Sequence, residues 1–178
     1  IGYPAAYILA DRKLNRSSLT AVLFILPMWI NALMRTLATA EIFNSIGIGL
    51  GKGTLLFGLT YDYLPFMIYP IYTILSKMDR SYIEAAQDLG ASPAKVFLKV
   101  TLPLSMPGVM SGVMMVFMPT VSTFAISEIL TNNTIQLFGS IIQEQFNNLM
   151  WNQGAALSLA MLIIIGLSTL LQKNKDDN

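Results

Sequence analysis

Residues 82–108 read YIEAAQDLGASPAKVFLKVTLPLSMPG, the longest stretch of this chain without membrane character, and apolar segments flank it on both sides. Ser81-x-x-Glu84 has the spacing of a capping box, in which a hydroxyl and a carboxylate satisfy orphan amides at a helix start. Gly90 is placed to end that helix. Ser92-Pro93 then opens a second short helix with proline at its first position, and Pro103 and Pro107 are expected to stop it. Two short helices joined at a glycine and held against a membrane surface read as a docking element.

An ordinary soluble domain carries about 25% charged residues. This chain of 178 residues has 12%, with 54% hydrophobic residues and a mean hydropathy of +0.58. Four apolar runs, roughly 19–39, 54–76, 104–126 and 154–171, are near the ~20 residues that a spanning helix needs. Residues 1–10 are also apolar and begin without Met. They read as the tail of a helix whose start is missing, and the chain as N-terminally incomplete. Unpaired backbone groups are too costly in lipid for anything but helices here. The expected fold is therefore all-α, a polytopic membrane helical bundle forming one domain over 1–178, with four full spans, the end of a preceding one, and a connecting loop at 77–103.

Basic residues set the orientation. Arg12, Lys13 and Arg16 precede the first full span, Lys77, Arg80, Lys95 and Lys99 separate the second and third, and Lys173 and Lys175 follow the fourth. These are nine of the eleven, leaving Lys52 outside and Arg35 within a span. By the positive-inside rule the 77–103 loop and the C-terminus are cytoplasmic. The absence of Cys and His excludes disulfides, thiol and imidazole nucleophiles and Cys/His zinc sites. The glycine-rich stretch 44–53 fails the phosphate-loop pattern, because Ile46 and Gly53 stand where Gly and Ser or Thr are required. No cofactor or metal is expected on this chain, and no nucleic-acid partner. Between Ile135 and Met150 apolar residues fall on one helical face, with Trp151 as a boundary anchor. That segment reads equally as a contact surface for an external protein or as a packing helix.

Ionisable groups inside spans are functional candidates by default. Arg35, Asp62 and Glu128 qualify. At about 1.5 Å per residue, Arg35 is about 24 Å above the inner start of its helix and Asp62 about 12 Å below the outer start of the next, with Glu128 at the outer edge. At similar depth they can pair as Arg35–Asp62 or Arg35–Glu128, gate the outer mouth, or leave one carboxylate for a cationic solute. Asn31 shares Arg35's helical face. Tyr61 and Tyr63 flank Asp62 and suit an alkylammonium through cation–π contact, or serve as interface anchors. Pro65 and Pro70 must bend their span or open its carbonyls. Met110, Met114, Met115 and Met118 are assigned to the bundle interior, and Gly108-x-x-x-Gly112 permits close helix approach.

Glu84-Ala85-Ala86, three residues, Gly90, nine residues, then Val100-x-Leu102-Pro103 resembles the EAA loop of bacterial ABC-importer permeases, whose fold is MetI-like. Gly2-Tyr3-Pro4-Ala5-Ala6-Tyr7, Asn31 with Arg35-Thr36, Tyr63 to Met67, and Ser127 to Leu130 resemble the spermidine/putrescine permease branch of that family. The pattern departs at Ser127, where proline is common, at Thr131-Asn132-Asn133, where glycines are common, and at Asp62, where Asn is frequent. The resemblance implies a multi-pass subunit of the bacterial cytoplasmic membrane that is not an enzyme. It implies a second homologous permease, a pair of ATPase subunits holding ATP and Mg, and an extracellular polyamine-binding protein. Ser81, Glu84, Ala85, Ala86, Asp88, Leu89, Gly90 and Pro103 would couple it to the ATPases, and Asn31, Arg35, Tyr61, Asp62, Tyr63 and Glu128 would line or gate the path. The alternatives are a sibling permease for thiamine, iron or an oxyanion, a secondary transporter or channel, a membrane scaffold, and an Asp/Glu membrane enzyme.

Overall fold

The computed structural model describes residues 1–11 and 18–176, with the side chains of Ser18 and of 171–176 outside the description. Arg12, Lys13 and Arg16, and the side chains of Lys173 and Lys175, on which part of the orientation rests, therefore lie outside the described residues. Among the described residues every regular element is helical, with no strand: α1 (Gly2–Ala10), α2 (Ser18–Ile25), a 3-10 turn (Leu26–Trp29), α3 (Ala32–Ser45), α4 (Lys52–Lys77), α5 (Ser81–Asp88), α6 (Pro93–Val96), a π turn (Phe97–Thr101), α7 (Leu102–Ser122), α8 (Ala125–Thr131), α9 (Phe138–Asn147) and α10 (Trp151–Asp176). It divides into one unit of Ile1–Pro27 with Leu64–Met115, and another of Met28–Tyr63 with Val116–Asn178.

Three expected boundaries move. The run 19–39 is not one straight span: it breaks between α2 and α3. Pro27 supplies no amide to continue the ladder and disfavours helical geometry at Leu26. Asn31 then caps the new helix, its Oδ1 accepting the Leu33 N–H at 2.9 Å, a contact worth about 1 kcal/mol. The run 104–126 begins earlier, because Pro103 and Pro107 do not stop the helix that starts at Pro93. The π turn at Phe97–Thr101 lengthens the ladder just before Pro103 and takes up the register its ring would disturb. That run also ends at Ser122, so Glu128 sits on the separate short helix α8. Among the described residues two helices are long and apolar enough to cross a membrane, Pro93–Ser122 and Trp151–Leu170, or three if the broken pair Leu19–Trp29 and Ala32–Ser45 counts as one. α4 has the length, 26 residues, but four tyrosines, three threonines and Asp62 leave it less apolar than a simple span. Helical hydroxyls such as Thr39, Thr60 and Thr73 bond back to carbonyls one turn earlier at 2.7–2.8 Å, which hides their polarity.

In the first unit, Ala6 and Leu9 of α1 bury against Ile68, Ile71 and Leu75 of α4. The last three recur at intervals of three and four residues, one helical stripe. α7 presses on the same helix at Gly108 and Gly112. A Cβ at Gly108 would lie 3.0 Å from the Pro70 carbonyl oxygen and 3.2 Å from Ile71 Cα, and one at Gly112 would lie 2.9 Å from Met67 Sδ. The glycine pair thus serves contact within this chain. Tyr3 hydrogen-bonds Ser105 at 2.7 Å, and Phe97 meets Tyr3 and Tyr7 edge-on. Met115 and Met118 are exposed, 44% and 40%, against the interior assignment, while Met110 and Met114 are half-buried.

In the second unit Ala40, Leu55, Ile126 and Leu130 form the core. The Thr54 hydroxyl accepts the Gly51 N–H and donates to the Leu130 carbonyl, each at 2.8 Å. Asn132 and Asn133, standing where glycines are common, take φ of 49° and 60°, a conformation asparagine accepts better than most residues. Their neighbour Ser127 is buried and bonds the Ile135 carbonyl. α9 forms inside the expected 135–150 segment, and its Phe146 ring meets Trp151 at 5.7 Å.

Placing a side chain in the α4–α7 contact should be costly. Gly108→Val is expected to destabilise the chain by about 1–3 kcal/mol, read as a lowered thermal midpoint in detergent. Gly166→Val, where nothing lies within 4 Å, should leave that midpoint unchanged within a degree or two.

Candidate functional site

Two groups of the residues singled out above are assembled by the fold, one in each unit. The first is the α5 segment. Ser81 is the first residue of α5 and not its cap: the cap position is Arg80, which makes no side-chain capping bond. Asp79 does that work, with Oδ1 accepting the Ser81 N–H at 2.9 Å. The amide and the hydroxyl of Ser81 both bond its carboxylate and hold its pKa below the ordinary value. At the other end Gly90 takes φ +77°. Its N–H bonds the Gln87 carbonyl at 2.8 Å and the Ala91 N–H bonds the Ala86 carbonyl at 3.1 Å, the paired contacts of a Schellman ending. Pro93 then opens α6 at its first turn.

The face α5 offers outward is mixed. Tyr82 and Leu89 are exposed, 58% and 89%, as are Glu84, Ala85, Asp88 and Gly90, whereas Ile83 and Ala86 turn half inward. Of the two alanines only Ala85 is left for close contact from outside. Pro103 is exposed and lies in the first turn of α7, two residues after the π segment. Between α1, α4 and α5 opens a cleft of about 520 Å³ with Asp11, Asp79, Arg80, Glu84 and Gln87 in its wall. Arg80 reaches Asp11 at 3.8 Å, an exposed pair of little energetic weight.

The second group surrounds Asp62. Arg35 Nη2 lies 3.2 Å from Asp62 Oδ1 and 3.5 Å from the Asp62 backbone carbonyl, so the pairing is Arg35–Asp62 and not Arg35–Glu128. Both side chains are buried, 6% and 1% exposed. Thr36 donates to Asp62 Oδ2 at 3.0 Å. The Arg35 guanidinium stands 5.6 Å from the centroid of the Tyr61 ring, within cation–π range. Tyr63 donates to the Pro119 carbonyl at 3.3 Å. Four of the six expected path residues are thus brought together. The other two lie apart: Asn31 acts as the cap of α3 and is exposed, and Glu128 is half-buried on α8. Among the described residues no cluster of three or more acidic side chains could hold a metal ion.

A family model for the inner membrane component of binding-protein-dependent transport systems matches residues 2–176. The chain belongs to that family. As an inner membrane transport component it has relatives among proteins named spermidine/putrescine transport system permease protein PotB. That of Escherichia coli K12 is 34% identical over 189 aligned positions, covering 96% of this chain and 69% of the relative. That of Salmonella typhimurium SL1344 is 34% identical with 96% and 66% covered, and that of Haemophilus influenzae is 32% identical with 94% and 65% covered. The chain spans about two-thirds of the length of these curated relatives.

Two contacts of this permease-family chain escaped sequence reasoning. Asp79 was masked by the more familiar Ser-x-x-Glu spacing that begins two residues later, although Asp before a helix is itself a capping signal. Thr36 was named beside Arg35 in the family resemblance, but its bond to Asp62 carried no signal, because the partner is 26 positions away. Asp79→Ala is expected to speed amide exchange across the first turn of α5. Because the folded pKa of Asp79 is lowered, its contribution is present above the ordinary carboxylate pKa and is lost as pH falls through the lowered value. Exchange at Ser81 and Glu84 that is insensitive to both changes would remove Asp79 from the cap.

Proposed function

We propose that this chain is the membrane-spanning subunit of an ATP-driven importer that moves polyamines across the bacterial cytoplasmic membrane. The observation that carries the reading is the extent of its likeness to permeases named for spermidine and putrescine: a third of positions identical across 96% of the chain. The α5 segment adds physical support. A short helix with an exposed Tyr82, Glu84, Ala85 and Leu89 face, ended by a glycine turn and followed at once by α6, which runs on through the π turn into α7, is suited to pass a push on its surface into a long apolar helix.

In this reading the α5 segment and the C-terminus lie on the cytoplasmic side. α5 sits in a groove of an ATPase subunit, which holds the ATP and Mg. A second permease of the same fold completes the pore, and an external binding protein delivers the polyamine. Closure of the ATPases displaces α5, and the helices joined to it change which side of the membrane the path faces. The work of this chain is mechanical: it binds, orients and releases a solute, and no covalent bond of the solute changes. Asp62, buried beside Tyr61 and Tyr63, is the group of the right sign and surroundings to meet an alkylammonium.

Uptake of radiolabelled spermidine in a bacterial strain lacking this chain should be restored when the full-length protein is returned. Restoration of thiamine, iron or oxyanion uptake instead would replace the polyamine with that solute. Gly90→Pro cannot adopt φ +77°, since the proline ring holds φ near −65°. It is expected to leave membrane insertion intact, to keep ATP hydrolysis, and to reduce uptake by tenfold or more, on the order of 1.4 kcal/mol of lost coupling. Glu84→Lys, which reverses a charge on the exposed face, should act in the same direction. Normal uptake by both variants would remove α5 from the coupling role.

A further inference from the structure

We propose that Arg35 is a tethered occupant of a cation site on Asp62, a built-in plug that the ammonium group of a diffusing amine must displace. The proposal rests on the polyamine reading above and assigns the regulation of that same site.

The geometry of the pair is that of a stand-in. A guanidinium has five N–H donors and binds a carboxylate best with two parallel bonds. Here only Nη2 is engaged, at 3.2 Å from Oδ1 and 3.5 Å from the Asp62 carbonyl. Nε and Nη1 of Arg35 are buried with no hydrogen-bond partner, and Asp62 Oδ1 likewise accepts no well-aligned bond. Leaving buried donors unpaired is unfavourable, so Arg35 holds this place by charge and not by fit. A lock meant only to fix two helices would gain by using the fork.

The site survives without Arg35. Thr36 holds Asp62 Oδ2 at 3.0 Å from a different residue of α3, so the carboxylate stays oriented when the guanidinium leaves. The Tyr61 ring under the guanidinium offers a π face that accepts any cation, since the attraction is to the ring quadrupole and not to a directed donor. An alkylammonium is a compact charge with three donors that rotate freely. It can meet Oδ1 and the Asp62 carbonyl together, the two acceptors that Nη2 now shares imperfectly. Arg35 also lies on the first turn of α3, its amide bonded to the Asn31 carbonyl beside the break after Trp29. Movement of that turn is enough to withdraw it.

A plug of this kind lowers the apparent affinity for the solute by the fraction of time the site is free. It keeps Asp62 paired when no amine is present, so the buried carboxylate is never left uncompensated. It also makes entry of the amine and departure of Arg35 one event.

The test uses the assembled complex of both permease subunits and the ATPases in nanodiscs, without the binding protein, and reads direct binding of radiolabelled spermidine. Arg35→Ala is expected to tighten half-saturation by about tenfold or more, as removal of a resident competitor requires. Guanidinium ion added to Arg35→Ala should refill the vacated place and compete with spermidine. Arg35→Ala combined with Asp62→Asn should lose the gain. If Arg35→Ala fails to assemble, Arg35→Lys, which keeps a cation but shortens its reach, should assemble and show a smaller gain in the same direction. Spermidine binding no tighter in the assembled variant than in the native complex, when the native complex imports spermidine, overturns the plug alone. A native complex that imports no polyamine overturns the functional reading on which it rests.

Discussion

A carboxylate removed from water must be compensated, and Asp62 is 1% exposed. An isolated ionised group in that place would cost several kcal/mol. Its compensation recruits α3: Arg35 brings a positive charge, Thr36 brings a hydroxyl, and both are on the helix that begins after the break at Asn31. The break is therefore more than a defect in an apolar run. It ends α2, lets α3 start afresh with its own cap, and sets the two residues that face Asp62 on its first turns. The polar character of α4 follows from the same demand. A helix that carries Asp62, four tyrosines and two prolines is held by specific partners at Thr54, Asp62 and Tyr63 as well as by its buried apolar stripe of Ile68, Ile71 and Leu75.

The α5 segment obeys a different rule, a backbone one. Ser81 to Asp88 is too short to be stable as an isolated helix. Its start is fixed by the Asp79 carboxylate and its end by the left-handed turn at Gly90, which pairs carbonyls that would otherwise be orphaned. From Pro93 the chain then stays helical to Ser122. Displacement of a short helix fixed at both ends is transmitted, whereas displacement of a frayed one is absorbed. That is the physical sense in which α5 can serve as a foot for a membrane helix.

The features legible in the sequence were the local ones. Gly90 as a terminator, Pro93 as an opener, a helix within 135–150 and the close approach at Gly108 and Gly112 each depend on residues within a few positions, or on the small size of glycine itself. The pairing of Arg35 with Asp62 was anticipated as one of two options, from depths that assumed an unbroken helix through 19–39. The partner was among those named, but the route was not sound, because Pro27 sits inside an apolar run whose hydropathy hides the break. Pro103 misled in the opposite sense: proline usually ends a helix, and here a π turn accommodates it. The bond from Thr36 to Asp62 was beyond reach, since a threonine in a span has no sign that distinguishes a bond to its own helix from one to a carboxylate on another, and Thr36 makes both.

The claim that most of this reading depends on is that α5 meets an ATPase subunit at the cytoplasmic face. The chain has no cysteine, so Ala85→Cys places a single thiol on the exposed side of α5. In the assembled complex, crosslinking from that thiol with a short bifunctional reagent should yield one covalent product joining this chain to the ATPase, and the thiol should be shielded from a membrane-impermeant maleimide applied outside intact cells. Labelling from outside, or the absence of any ATPase product in a complex that transports normally, would contradict the account.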